Sequence, residues 1–380
     1  MMYKNEKTAP YAPTAIGAEQ SNQTSNSNII AENSEDFKGE DINYQEIMRR
    51  MADPYYIHVM TLSELFDTVY KTRQPIIDGL LYAGVYLFVG APKIGKSFLM
   101  AQLAYHVSMG KPMWEYNVHK CDVAYFALED DFARIQKRLY RMFGSEKNDN
   151  LLFATKIDSI NGVLEQQLSS FQQEHSSVKL IIIDTLQKIR ESNSDYNYGN
   201  DYQAISKLKE FADSHNLCML LVHHTRKQKS DDNFDMISGT NGLLGAADGA
   251  FILYKDKRTA NTATLEISGR DQQEQKLILI KNQDTLYWEL QRKETELWQD
   301  PPEPLLEKIS KFVTADNPDW AGTATELLEK TDADIPVNSI TKRLNVNAGR
   351  LFNEYGIIYK CSRTHDGRRI ELHYQLRDSS

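Results

Sequence analysis

Cysteine is scarce in this chain, and long apolar runs are missing. Cys121, Cys218 and Cys361 stand far apart in 380 residues. None belongs to a C-x-x-C pair or a Cys/His metal spacing. A disulfide framework and a structural zinc site are therefore set aside, and a reducing compartment fits this usage. No stretch is long and apolar enough to cross a bilayer. The N-terminus also lacks the charged-then-apolar pattern of a secretion signal. A cytoplasmic protein with no membrane partner is expected. Excess positive charge is absent too. The net charge is −9, so the whole molecule is not a basic nucleic-acid coat, and only local basic patches can serve that role. Residues 1–42 have too few apolar side chains to offset ordering entropy, and residues 21–28 (SNQTSNSN) show this best. A disordered tail, acidic towards its end, is expected there.

What is present is one organising stretch, residues 85–97, which reads VYLFVGAPKIGKS. It begins as a buried strand, turns between glycines and enters a helix expected over 98–109. Gly90, Gly95, Lys96 and Ser97 match the phosphate-binding pattern G-x-x-x-x-G-K-[ST]. Gly90, Ala91, Pro92, Lys93, Ile94, Gly95, Lys96, Ser97 and Phe98 form the candidate cradle. The glycines let the backbone curl so that its N–H groups face phosphate oxygens, and the helix adds the positive end of its dipole. Lys96 suits the β- and γ-phosphates, and Ser97 suits Mg²⁺.

A coarse reading of the rest places Thr61 at a capped helix start, with strands at 123–128, 151–154, 180–184, 217–222 and 249–254. Helices are expected at 132–143, 160–175 and 201–215, a further helix opens near 238–242, and a meander follows over 263–267, 276–281 and 285–290. Strands alternate with helices from 85 to 222. That predicts an α/β fold, a mainly parallel sheet with helices on both faces. Gly90, Glu129, Asp184 and His224 each follow a predicted strand, so they gather at the C-terminal edge where open α/β sheets bind ligands. Asp184 ends an apolar strand, the position from which a carboxylate holds Mg²⁺ through water or Ser97. Prolines 301, 302 and 304 mark a linker. The expected division is a tail over 1–42, a core domain over 43–295, a linker over 296–304 and a C-terminal domain over 305–380. Helices at 305–314, 324–329 and 337–345, a further turn at 350–354, and a hairpin of 355–360 with 369–374 suggest a winged helix.

On these residues the chain resembles the RecA/DnaB-like P-loop ATPases, and among them the RepA-type hexameric helicases of plasmids, phages and mobile elements. The resemblance covers about residues 76–280. It rests on the P-loop, on Ala127-Leu128-Glu129-Asp130, on Ile183-Asp184-Thr185-Leu186, and on His223-His224-Thr225-Arg226-Lys227. It implies a RecA-like core that binds ATP and Mg²⁺ at the interfaces of a homo-oligomer, a hexameric ring, with single-stranded DNA in the central channel. It also implies Glu129 as the water-activating base, Asp184 as the Mg²⁺ carboxylate and His224 as the γ-phosphate sensor. Ser97 and Asp184 would be the metal residues.

The residues weigh these roles separately. Glu129 could instead cap the following helix, although Asp130 and Asp131 suit that better. Either His223 or His224 could read a phosphate charge. Arg270, in Ser268-Gly269-Arg270-Asp271, is the candidate arginine finger acting on a neighbour's nucleotide, and Lys257 and Arg258 compete for that role. Two regions are candidates for DNA contact. One is the segment of Arg226, Lys227 and Lys229, part of a polar loop expected to be mobile. The other is the C-terminal domain, where Lys342, Arg343, Arg350, Arg363, Arg368 and Arg369 would meet duplex DNA. The function expected is an ATP-dependent DNA helicase or translocase for replication of a mobile element or phage. The alternative is a DNA-binding regulatory ATPase, such as a loader, recombination or defence factor, that does not unwind.

Overall fold

The computed structural model describes residues 55–57, 59–70, 75–160, 162–190, 198–225, 234, 237, 241–255, 257, 259–270, 272–294, 302–364 and 367–375. The expected tail over 1–42 and the polar segment 226–233 lie outside them. No helix among the described residues is long and apolar enough to cross a membrane.

The chain enters through helix α1 (Leu62–Asp67), which Thr61 and Glu64 close with a capping box. A small hairpin, β1 (Pro75–Ile77) and β2 (Leu81–Tyr82), leads into β3 (Gly84–Gly90) and α2 (Lys96–Met109). Then come β4 (Asp122–Ala127), α3 (Phe132–Phe143), β5 (Leu151–Ala154), α4 (Leu164–Glu174), β6 (Val178–Asp184) and the short α5 (Leu186–Ile189). They are followed by α6 (Tyr198–His215), β7 (Cys218–His224), α7 (Asn241–Ala246), β8 (Gly249–Tyr254), β9 (Thr262–Gly269), β10 (Gln275–Lys281) and β11 (Trp288–Lys293). One nine-stranded sheet takes the order β11-β10-β9-β8-β3-β7-β6-β4-β5. Strands β3 to β8 run parallel, and β9 to β11 add an antiparallel margin. This is the α/β fold expected from the alternation of elements.

The pattern of each strand explains the layers. In β3, Tyr86 and Phe88 join one apolar cluster with Leu99, Leu103 and Ile135, while Val85, Leu87 and Val89 join a second with Leu168, Ile205 and Ala212. Side chains alternate across a strand, so a continuous apolar run is buried on both faces only if helices cover both. The pair Asp248 and Lys209 ties the second face to the sheet. Asp248 is buried; its carboxylate accepts the Val85 N–H at 2.9 Å and the Lys209 ammonium at 2.6 Å.

The C-terminal part holds α8 (Pro304–Ser310), β12 (Asp319–Thr323), α9 (Ala324–Thr331), α10 (Val337–Tyr355), β13 (Ile357–Thr364) and β14 (Gly367–Tyr374). Its three strands pair in the order β12-β14-β13 around a core with Ile309, Leu327, Ile340, Leu344, Leu351 and Ile370. Two details differ from expectation. The helices at 337–345 and 350–354 are one helix, α10, because Leu344 and Leu351 carry the same buried face across Gly349. A mid-helix glycine costs about 1 kcal/mol, which this burial exceeds. Strand β12 has no apolar signal, since Asp-Trp-Ala-Gly-Thr is half-exposed and held by pairing to β14. Helix α1 packs on α10, where the Asn345 amide donates to Phe66 O at 2.9 Å, and Arg368 meets Asp67 at 2.7 Å.

Removing the Asp248 carboxylate takes the acceptor from the Val85 N–H and leaves Lys209 with the more distant Asp213 at 3.4 Å, the kind of loss that destabilises a buried pair. Asp248→Ala is expected to cost about 3 kcal/mol, read as a fall of roughly 5 °C in the thermal midpoint.

Candidate nucleotide-binding site

The end of β3 and the start of α2 form the P-loop turn. At Gly90 a Cβ would sit 2.7 Å from the Leu253 carbonyl of β8, so only glycine lets the two backbones approach. Gly95 has a φ of +113°, and a Cβ there would also meet the Trp288 ring at 2.9 Å. Both motif glycines are thus required by local geometry. Ala91, Pro92 and Lys93 form the exposed rim of the turn, while Ile94, Gly95, Ser97 and Phe98 are half-buried.

Lys96 is 6% exposed. Its ammonium donates to Gly90 O at 2.8 Å and Ala91 O at 3.2 Å, and lies 3.0 Å from Nδ1 of His224. An ammonium has no acceptor, so Nδ1 is the accepting nitrogen. Burial pulls the Lys96 pKa down to about 8, and the charges of Asp184 and Glu129 resist that fall. Burial, followed by the Lys96 charge, lowers the His224 pKa. His223, the alternative sensor, is buried one residue earlier in β7.

Asp184 ends β6 and is buried. Burial raises its pKa, while hydrogen bonds from Ser97 and Tyr125 oppose the rise. The Tyr125 hydroxyl donates to Oδ2 at 2.8 Å. Glu129 follows β4 and accepts from the Thr185 hydroxyl at 3.2 Å. Asp131, not Glu129, caps α3 by accepting the Arg134 N–H at 2.8 Å. Mg²⁺ fits this donor set. Ser97 and Asp184 already share a hydrogen bond and offer only oxygen, the hard ligand that Mg²⁺ takes in small number alongside phosphates and water. No group of three His, Cys, Asp or Glu among the described residues is arranged to hold a metal.

Lys96, Asp184, Glu129 and His224 therefore converge from four different strand ends. Residues 56–230 match a family described as an AAA domain. Over those residues the chain is similar to an AAA domain, and the match includes the P-loop and the ends of β4, β6 and β7. The chain is also similar to the DNA repair protein RadA of Rickettsia conorii (strain ATCC VR-613 / Malish 7), at 26% identity over 173 residues. That match covers 45% of this chain and 35% of the RadA relative, so the chain spans about a third of that protein's length. A solved structure described as a DnaB-like replicative helicase and its interactions with primase aligns with a TM-score of 0.49 and 16% identity, over 64% of this chain and 70% of that one.

The other expected residues that the structure describes do not join this cluster. Arg270 follows β9, where Gly269 pairs with Gly249, and its N–H donates to Asp248 O at 2.8 Å. That is the edge of the sheet opposite the P-loop, and its guanidinium donates to Gly245 O at 2.9 Å. Lys257 follows β8 at the P-loop edge and is exposed; Arg258 lies outside the described residues. So do Arg226, Lys227 and Lys229, although Thr225 and Ile237 pair at the end of β7. In the C-terminal part, Arg343 meets Glu303 at 3.1 Å, Arg350 meets Glu354 at 2.8 Å, and Arg369 meets Glu371 at 3.4 Å. With Arg368 on Asp67, these four arginines all have carboxylate partners. Lys342 is half-buried, and the Arg363 side chain lies outside the described residues. Sequence reading missed Tyr125 and Trp288. Only the alternation of β4 hinted that Tyr125 faces the interior.

Outer hydrogen bonds orient metal ligands, and losing one weakens metal use about 10-fold or more. Tyr125→Phe is expected to raise the Mg²⁺ needed for half-maximal nucleotide binding by about 10-fold, with an unchanged far-ultraviolet circular dichroism spectrum. A Mg²⁺ titration followed by nucleotide fluorescence checks this.

Proposed function

We propose that the chain is an ATP hydrolase that works on DNA, in the manner of a ring-forming helicase or translocase. The observation that carries the reading is the meeting of Lys96, Asp184, Glu129 and His224 at one edge of the sheet. In this reading residues 90–98 hold the phosphates of ATP, with Ser97 and Asp184 as the Mg²⁺ residues. Glu129 orients the attacking water, for which a base must stand within one water of the reacting atom. The contact between Lys96 and His224 supports a sensing role, because a phosphate charge that draws the ammonium away alters what Nδ1 faces.

Arg270, opposite its own P-loop, is suited to act on a neighbouring copy's nucleotide, as a hexameric ring would require. The name of the RadA relative and the basic segment from Arg226 to Lys229 support a DNA partner, with single strands in a central channel. The order of α8, β12, α9, α10, β13 and β14 supports a winged-helix reading of the C-terminal domain. The RepA-type assignment and a place in mobile-element replication belong to this proposal too. A regulatory ATPase without unwinding is the second reading. It is favoured by the carboxylate partners of Arg343, Arg350, Arg368 and Arg369, which reduce the positive surface available to duplex DNA.

ATP hydrolysis measured with and without single-stranded DNA separates the two. Lys96→Ala is expected to abolish turnover. Glu129→Gln is expected to bind ATP and to lose about 10²- to 10⁴-fold in rate; full turnover in that variant would remove Glu129 from the reaction. Stimulation by single strands supports the motor, and indifference to them supports the regulatory reading.

A further inference from the structure

The polar contacts that join α1 to the C-terminal core share one chemical pattern. On the C-terminal side the groups are donors, the Arg368 guanidinium and the Asn345 amide. On the α1 side they are acceptors, the Asp67 carboxylate at 2.7 Å and the Phe66 carbonyl at 2.9 Å. Phe66 lies in the last turn of α1, where carbonyls have no partner within a helix. The end of α1 therefore presents a negative charge beside a carbonyl oxygen, as a phosphate presents its oxygens. Arginine and asparagine are among the side chains that hold backbone phosphates of DNA.

The donors are fixed from beneath. Asn345 is buried, and its Oδ1 accepts from the Tyr359 hydroxyl at 2.7 Å, which leaves the amide nitrogen for α1. Arg368, the second residue of β14, also donates to the Thr341 hydroxyl at 3.1 Å. Thr341 and Asn345 stand one turn apart on α10. Helix α1, in contrast, is held loosely. None of its residues is buried, and Leu62, Leu65 and Phe66 are 66%, 45% and 39% exposed, so its apolar side chains add little to the attachment. Val69, just past the helix, is half-buried against the C-terminal core. A helix of six residues has little stability of its own. An ion pair in which both side chains are more than a third exposed adds little. Arg350 and Arg369 pair with acids of their own helix or strand. The acid on Arg368 comes instead from ahead of the sheet and can leave with its helix.

We propose that Arg368 and Asn345 form a phosphate-binding site for duplex DNA, and that the end of α1 occupies it in the phosphate's place. The helix is then an autoinhibitory clasp, and DNA binds through this site only when α1 leaves it. This rests on the reading above in which the C-terminal domain meets duplex DNA.

The test measures duplex DNA binding by the full chain, using fluorescence anisotropy over a range of salt concentrations. The proteins compared are the unaltered chain, Asp67→Asn, Arg368→Gln and the double variant. Asparagine keeps the size and an acceptor oxygen of Asp67 and removes the charge. Asp67→Asn is expected to tighten duplex binding about 10-fold. It is also expected to steepen the fall of log affinity with log salt by about 1, the mark of one added phosphate contact. Arg368→Gln alone is expected to change little, because Asp67 already withholds that arginine. Added to Asp67→Asn, it is expected to return both affinity and slope to those of the unaltered chain. Tightening that survives the loss of Arg368 would be a general effect of removing an acid, and would overturn the assignment. So would duplex binding by Asp67→Asn no tighter than that of an unaltered chain that binds, and only this inference would then fall. If none of the four proteins binds duplex, the DNA reading of the domain falls with it.

Discussion

Lys96 is a cation with almost no access to solvent, and the elements around the P-loop are arranged so that it remains one. Burial pulls the ammonium pKa to about 8, and Asp184 and Glu129 keep it from falling further. Two carbonyls and His224 complete its surroundings. An unpaired buried charge would neutralise itself or open the site to water. The carboxylates must therefore stand nearby, and they arrive only because β4 and β6 run parallel to β3 and end at the same edge.

The same turn is held from the other side by residues far along the chain. Trp288 begins β11, is fully buried, and approaches Gly95 so closely that no side chain fits there. Gln102 fixes that strand by accepting the Trp288 N–H at 2.8 Å and donating to its carbonyl at 3.0 Å. The antiparallel margin thus acts as a brace for the phosphate turn.

The C-terminal part shows why counting charges in a sequence can mislead. From Val337 onward its arginines outnumber the acids along the chain, yet Arg368 reaches Asp67 and Arg343 reaches Glu303. Both partners are remote in sequence. Exposed ion pairs contribute little to stability, but they lower the field that a phosphate backbone would meet. The helix α1 that supplies Asp67 also covers α10, so the chain segment ahead of the sheet shares the C-terminal core.

Much of the ATPase domain was legible before the structure. Strands such as Leu180 to Asp184 announce themselves because an apolar run with a terminal acid has few other uses, and the P-loop spacing needs only local backbone freedom. Lys96 was read from the P-loop spacing, and Gly90, Glu129, Asp184 and His224 were singled out because each follows a predicted strand, and parallel strands align their ends. Tyr125 and Trp288 were not singled out, since nothing in their neighbours along the chain marks them. Their importance comes from what lies across the sheet. The continuity of α10 past Gly349 and the pairing of β12 were likewise settled by burial and by partner strands. Local pattern decided which segments become strands, helices and phosphate turns, because periodicity and glycine act within a few residues. Which charges meet depended on contacts remote in sequence, such as Lys96 with His224, and only the packed fold brings such groups together.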